Sequence, residues 1–238
     1  HNDELAYYEV VAYMQRYIDY CIVISSKIKS ELIEYGFNTK KIVVINWNIP
    51  VDEKERSVNE NNPIRIGYAG RITKTQKRLD YLPLILEYLE NKGADYIFEM
   101  AGIGDYFNEL SDYIKENNLN EKVILLGIVD KKQMHDFWRK QDVYFSCSDW
   151  EGHSISQCEG IAAGAVPVVT DVSGAEDDIS DGITGYIVPV GDWEKLAERL
   201  LYLCHNRKTI KDMSDAGMKK MRERNNESEK NVLEELCH

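Results

Sequence analysis

Residues 142–169 read DVYFSCSDWEGHSISQCEGIAAGAVPVV, and this stretch decides the fold. Asp142-Val143-Tyr144-Phe145-Ser146 is a short apolar strand pattern, and Val166-Pro167-Val168-Val169 is a second. Between them the residues from about Ser154 to Ala163 have helical character, with Gly164 at the stop. A strand, a helix and a further strand on short connections form one parallel crossover unit. The turn before the helix carries Glu151, and Glu159 follows eight positions later inside the helix. In open α/β sheets, ligands bind where strand carboxyl ends meet helix starts. Free backbone N–H groups at such a start suit an anion. Acidic residues there are also common for a plainer reason, since they complement the helix dipole.

The same alternation runs outward from this unit. Ile64-Arg65-Ile66-Gly67-Tyr68-Ala69, Tyr96-Ile97-Phe98-Glu99-Met100 and Val123-Ile124-Leu125-Leu126 read as strands, with helices over 78–91, 106–116 and 131–140. Downstream lie the strand Tyr186-Ile187-Val188 and a helix over 192–204. Strands alternating with helices on short connections indicate an α/β fold with a Rossmann-like, doubly wound parallel sheet. Residues 4–50 read as helix, strand, helix, strand, with Cys21-Ile22-Val23-Ile24 and Lys41-Ile42-Val43-Val44-Ile45 as the strands and Ser25 or Ser26 as the cap between. Two strands and a helix do not close a domain, so this piece is expected to end a larger one or to be an appendage. Residues 48–63 are polar and rich in Asn and Glu, the best linker candidate. Residues 206–238 are helical, polar and rich in Lys and Glu, and the default expectation is a solvated terminal helix.

The chain has 238 residues, a formal charge of −12, 43% apolar and 29% charged residues. That balance is ordinary for a globular protein and argues against a nucleic-acid binder. No apolar run approaches the roughly 18 residues a transmembrane helix needs, and the start lacks a signal-peptide pattern. The five cysteines are scattered without a CxxC pair. A reduced, cytoplasmic thiol set is expected, with neither a zinc site nor a disulfide framework.

Against this acidic background the first strand-to-helix turn stands out. Gly70-Arg71-Ile72-Thr73-Lys74-Thr75-Gln76-Lys77-Arg78 carries four cations. Arginine offers a planar fork and lysine a mobile charge, and both suit phosphate oxygens. A solvated basic loop is the plain alternative, and the spaced glycines of a Walker loop are missing. The second turn, Ala101-Gly102-Ile103-Gly104-Asp105, permits close backbone approach but is equally an ordinary turn. The third ends in Gly127-Ile128-Val129-Asp130, where backbone groups can meet a flat ring.

The ordered set is recognisable. Gly70-Arg71 with a later lysine precedes a Gly-x-Gly turn, Leu126-Gly127-Ile128-Val129 and Asp142-Val143-Tyr144-Phe145-Ser146. Glu151-Gly152-His153-Ser154 with its second glutamate follows, then Ala162-Ala163-Gly164 running into Pro167-Val168-Val169-Thr170. The set closes with Ser173-Gly174, Gly182 and Gly185, and Val188-Pro189-Val190-Gly191-Asp192. Residues 64–205 closely resemble the C-terminal, donor-binding domain of the retaining family 4 (group 1) glycosyltransferases of GT-B fold.

The resemblance implies a nucleotide-sugar donor bound without a metal or other cofactor. It implies that Arg71 and Lys77 hold the diphosphate, with Lys74 competing for the second place. Glu151 then approaches the donor sugar as the catalytic residue and Glu159 bonds the ribose hydroxyls. The amides of Gly152, His153, Ser154 and Ile155 face diphosphate or sugar, and Gly70, Gly102 and Val129 complete the donor site. It further implies that 1–50 is the terminal piece of the N-terminal Rossmann-like domain, 51–63 the linker and 206–238 a helical tail. The acceptor site falls in the missing N-terminal domain, which makes this chain inactive alone. The longer enzyme is expected in the cytoplasm on a polysaccharide, glycolipid or protein acceptor, with scope for peripheral membrane association. Two departures appear: Gly160 where members often have alanine, and no Asn-Gly in Ile45-Asn46-Trp47-Asn48-Ile49-Pro50. A sugar-nucleotide epimerase or a noncatalytic nucleotide-binding module are the alternatives.

Overall fold

The computed structural model describes residues 2–53 and 62–236, with side chains at 7–53 and 62–226. Of the expected linker, 54–61 lie outside the described residues, as does Cys237. The larger unit is a six-stranded, wholly parallel sheet. Its strands are β3 (Ile64–Ala69), β4 (Tyr96–Ala101), β5 (Val123–Gly127), β6 (Val143–Ser146), β7 (Val166–Thr170) and β8 (Tyr186–Val188), in the spatial order β5-β4-β3-β6-β7-β8. The strands expected from the apolar runs are all present, within a residue or two at their ends.

The crossovers cover both faces, as a parallel sheet requires. On one face α3 (Leu82–Asn91), α4 (Phe107–Glu116) and α8 (Trp193–His205) bury Leu86, Leu110 and Leu200 against Ile66, Phe98 and Val168. On the other, α5 (Lys131–Lys140), α6 (Ile155–Ala162) and the short α7 (Ala175–Asp178) bury Trp138, Cys158 and Ala175 against Tyr144 and Val169. The helix expected from residue 78 begins instead as a 3-10 turn at Leu79–Tyr81, with Pro83 opening α3. Gly160 has a packing cause, because a Cβ there would lie 3.2 Å from the Tyr144 side chain.

The terminal helix differs from the solvated helix expected. Helix α9 (Arg207–Leu236) buries Ile210, Met213, Ser214, Met218, Met221 and Arg224. Its apolar stripe is thin and built largely of methionine among lysines and glutamates, so the polar composition masked it. The N-terminal piece forms α1 (Asn2–Met14), β1 (Cys21–Val23), α2 (Ser26–Glu34) and β2 (Ile42–Val44). Ser25 is the α2 cap, accepting from the Ile28 amide. Strands β1 and β2 pair in parallel as a separate two-stranded sheet with its own small core of Ala12, Val23, Leu32, Phe37 and Ile42.

Candidate functional site

The strand order reverses between β3 and β6: the chain leaves β3 toward β4 and β5, and leaves β6 toward β7 and β8. Loops after two such strands diverge, and the crevice between them is where this architecture binds ligands. Here the two loops are 70–78 and 147–154, the cationic turn and the glutamate turn.

Their backbones and side chains interlock. The Asp149 amide donates to the Gln76 carbonyl at 2.7 Å, and Gln76 Nε2 donates to the Trp150 carbonyl at 3.3 Å. Arg78 reaches Asp149 at 3.0 Å and Asp80 at 3.1 Å. Gln76 and Arg78 both take left-handed backbone conformations, at φ 63° and 49°. Each costs on the order of 1–3 kcal/mol for a non-glycine residue, and such strain collects at functional sites. It brackets Lys77, whose ammonium forms an ion pair with Glu151. Their side chains are only 15% and 11% exposed. Ser148 Oγ donates to the same Glu151 oxygen at 2.7 Å, and Thr170 Oγ1 holds the Ser148 carbonyl at 2.6 Å. Lys74, the rival cation, turns away to Glu109 of α4 at 2.7 Å and lies over the Tyr106 ring.

Arg71 is exposed and donates to Gln76. With Gly70, Gly102, Ile128, Val129 and Met134 it lines a largely apolar hollow of about 370 Å³. The hollow exists because three strand-end turns lie side by side: the Gly70 amide bonds the Ala101 carbonyl, and the Gly102 amide the Gly127 carbonyl. At Gly102, φ is +143° and a Cβ would sit 1.8 Å from the Gly70 oxygen. Gly102→Ala is therefore expected to cost more than about 2 kcal/mol by forcing these turns apart. Gly36→Ala, at φ +84° with nothing within 4 Å, keeps only the backbone penalty of about 1 kcal/mol. Urea unfolding of the two variants checks the contrast.

A second hollow, about 560 Å³, lies between the N-terminal piece and the glutamate turn. Tyr8, Lys27 and Glu31 line one side, and Trp150, Glu151 and Gly152 the other. Helix α6 starts here. Ser154 caps it by accepting from the Gln157 amide at 3.3 Å. Among the described residues, none engages the backbone amides of Gly152, His153, Ser154 or Ile155. Glu159 is half-buried within α6 and makes no side-chain hydrogen bond or ion pair among the described residues.

The His153 side chain is directed away from the crevice into a buried cluster. Its Nδ1 lies 2.6 Å from the Ile24 carbonyl and its Nε2 lies 2.9 Å from Asp178 Oδ2. Arg224 of α9 donates to the other Asp178 oxygen, and Gln157 Nε2 donates to Oδ2 at 2.8 Å. Burial alone would lower the His153 pKa; its bonds to Asp178 and Cys158 outweigh that and raise it to about 10. Burial alone would raise Asp178, and the His153 bond and charge, then Arg224 and Gln157, bring it below its ordinary value. His153, Cys158 and Asp178 could between them offer a metal three ligand atoms. A guanidinium already neutralises Asp178, and both ring nitrogens are engaged, so the set is a closed hydrogen-bond network. Asp178 and Arg224 escape a sequence reading: one follows other acids in a turn, the other sits in a run of lysines and glutamates. Ser148 had a weak signal, three positions before Glu151.

The sequence model of the glycosyl transferases group 1 family matches residues 51–220. The capsular polysaccharide biosynthesis glycosyltransferase CapM of Staphylococcus aureus is 26% identical, over 96% of this chain and 64% of its own. The amylovoran biosynthesis glycosyltransferase AmsK of Erwinia amylovora is 25% identical, over 73% of this chain and 44% of its own. Among solved structures, Anabaena HepE in complex with UDP superposes with a TM-score of 0.82 at 16% identity, covering 98% of this chain and 68% of that one. The chain spans about half the length of the first curated relatives it matches, 50% and 44%.

Proposed function

The chain belongs to the group 1 glycosyl transferases, and on that premise we propose that it is the donor-binding half of a retaining glycosyltransferase. The enzyme moves a sugar from a nucleoside diphosphate to a glycan, glycolipid or protein acceptor. One observation carries the site assignment: Lys77 and Glu151 meet across the switch-point crevice, beside four amides that no described residue engages. Lys77, Arg71 and the amides of Gly152, His153, Ser154 and Ile155 hold the diphosphate, and their positive potential stabilises the charge it gains on leaving. These fixed positive groups supply what a metal otherwise would. Glu151, oriented by Ser148, faces the donor sugar. Glu159 takes the ribose hydroxyls, and the apolar hollow beside Gly70, Gly102 and Val129 takes the base.

In this reading residues 1–50 end an N-terminal Rossmann-like domain that carries the acceptor site, 51–63 link it to the donor domain at 64–205, and 206–238 form the terminal tail. CapM and AmsK are named for polysaccharide biosynthesis, which favours a glycan acceptor. Among the described residues no helix is long and apolar enough to cross a membrane. The family match and the relatives named as transferases favour transfer over epimerisation.

Calorimetric titration with UDP, GDP and ADP, with and without magnesium, tests the donor site. HepE was solved with UDP, and metal-independent UDP binding that is lost in Arg71→Ala and Glu159→Ala is the expected result. Binding that needs magnesium, or that survives both substitutions, sinks the assignment.

A further inference from the structure

The donor-site reading uses the His153 amide but leaves its ring unused, although the residue sits in the middle of the glutamate turn. Its backbone carbonyl accepts from Trp47 Nε1 at 3.2 Å, and its ring is fully buried. Both ring nitrogens face acceptors: the Ile24 carbonyl has no proton to give, and the Asp178 carboxylate is held ionised by Arg224. A neutral imidazole carries one N–H and would leave one of these contacts as lone pair against lone pair. The geometry therefore requires both ring protons.

The cluster also spans the molecule. Ile24 follows β1, Trp47 follows β2, Asp178 ends α7, and Arg224 lies on α9, where it also donates to the Trp47 carbonyl at 2.6 Å. The same seam is reinforced by Ser25 with Ser173 at 2.6 Å and by the Ser26 amide on Asp177 at 2.8 Å. The charged groups around the ring are Asp178 and, behind it, Arg224, with the thiol of Cys158 at 3.5 Å and Lys220 of α9 near Asp178. Burial raises the Cys158 pKa, which keeps that thiol neutral. Asp178 thus faces two buried cations, His153 and Arg224, and a surplus positive charge remains beneath the turn.

We propose that His153 is a positioning residue held as an imidazolium: clamped between the Ile24 carbonyl and the Asp178–Arg224 pair, it fixes the turn Gly152–Ile155 and ties the N-terminal piece to it. The clamp stands on the contacts alone; that the turn then presents its amides and this charge to a diphosphate rests on the donor-site reading. A shift of these amides by even a fraction of an ångström weakens an anion held by several of them at once.

The test uses the chain with ¹⁵N-labelled histidine. At pH 7.5 the His153 ring is expected to show two protonated nitrogens, and Asp178→Asn to convert it to the neutral form. Amide hydrogen exchange across 152–157 is expected to accelerate about tenfold or more in Asp178→Asn and in His153→Gln, with Arg224→Lys closer to the parent than Arg224→Met. Thermal unfolding identifies variants that still fold. A neutral ring in the parent chain overturns the proposal, and so does unchanged exchange in a folded His153→Gln. UDP affinity is read in parallel and is expected to fall about tenfold with the loosened turn. If the parent chain binds no UDP while ring and exchange behave as expected, the donor-site reading fails and the clamp stands.

Discussion

Lys77→Ala is expected to weaken nucleoside diphosphate binding about a hundredfold, ~2.7 kcal/mol, whereas Glu151→Gln is expected to leave it equal or tighter. The asymmetry comes from the ion pair between these two side chains. Glu151 is paired with the ammonium that the proposed site assigns to phosphate, so in that reading a diphosphate competes with a carboxylate already in place. In the proposed donor site, removing the lysine deletes a charge-assisted contact to the phosphate. Removing the glutamate's charge frees that contact. Sugar transfer by the proposed two-domain enzyme should separate from binding: Glu151→Gln is expected to lose about 10²–10³-fold in turnover, because in the proposed site the carboxylate acts on charge developing at the donor sugar. Ser148 and Thr170 still hold the turn in that variant. Calorimetry with UDP beside a transfer assay gives both numbers. Weaker UDP binding by Glu151→Gln than by the parent would overturn the competition argument.

Asp178→Ala is expected to cost about 3–5 kcal/mol in stability, the usual result of removing one partner from a buried charge cluster. His153 and Arg224 would be left as neighbouring cations without the carboxylate between them, and Gln157 would lose the shorter of its two hydrogen bonds. The pH dependence has a defined sign. His153 is held charged in the folded state, its pKa raised from 6.5 to about 10, so the folded chain binds more protons across that interval. Its contribution is complete below about pH 6.5 and disappears as pH climbs toward 10. Asp178, whose pKa is lowered, contributes above its unfolded value of 3.8 and loses that contribution as acid protonates the folded form. Urea midpoints at pH 6, 8 and 9.5 should fall for the parent chain and fall less for His153→Gln. A parent stability that rises between pH 6 and 9.5 by the same amount as the variant's contradicts the raised pKa.

The candidates for the proposed site were legible in the chain because their chemistry is written locally. The cationic run Arg71 to Arg78 and the Glu151–Glu159 spacing each lie within a window of eight or nine residues, and strands such as Ile64–Ala69 announce themselves by continuous apolar runs. What the local pattern left open was choice. Lys74 and Lys77 are alike in sequence; left-handed turns at Gln76 and Arg78 aim one at Glu151 and leave the other on Glu109. Helix α9 looked solvated because hydropathy averages over its faces, while packing depends on the narrow stripe from Ile210 to Met221.

By itself the sequence determined the α/β class, the parallel sheet and the resemblance to a family, and it supplied the candidates for the proposed phosphate contacts, since periodicity and residue chemistry are properties of short windows. Strand order was decided only in three dimensions. The reversal between β3 and β6, which makes neighbours of turns some seventy residues apart, arises from how the crossovers pack on two faces of the sheet. The His153–Asp178–Arg224 cluster was likewise decided only there. Its members are three ordinary polar residues until burial strips their water and leaves each one dependent on the others for charge and hydrogen bonds.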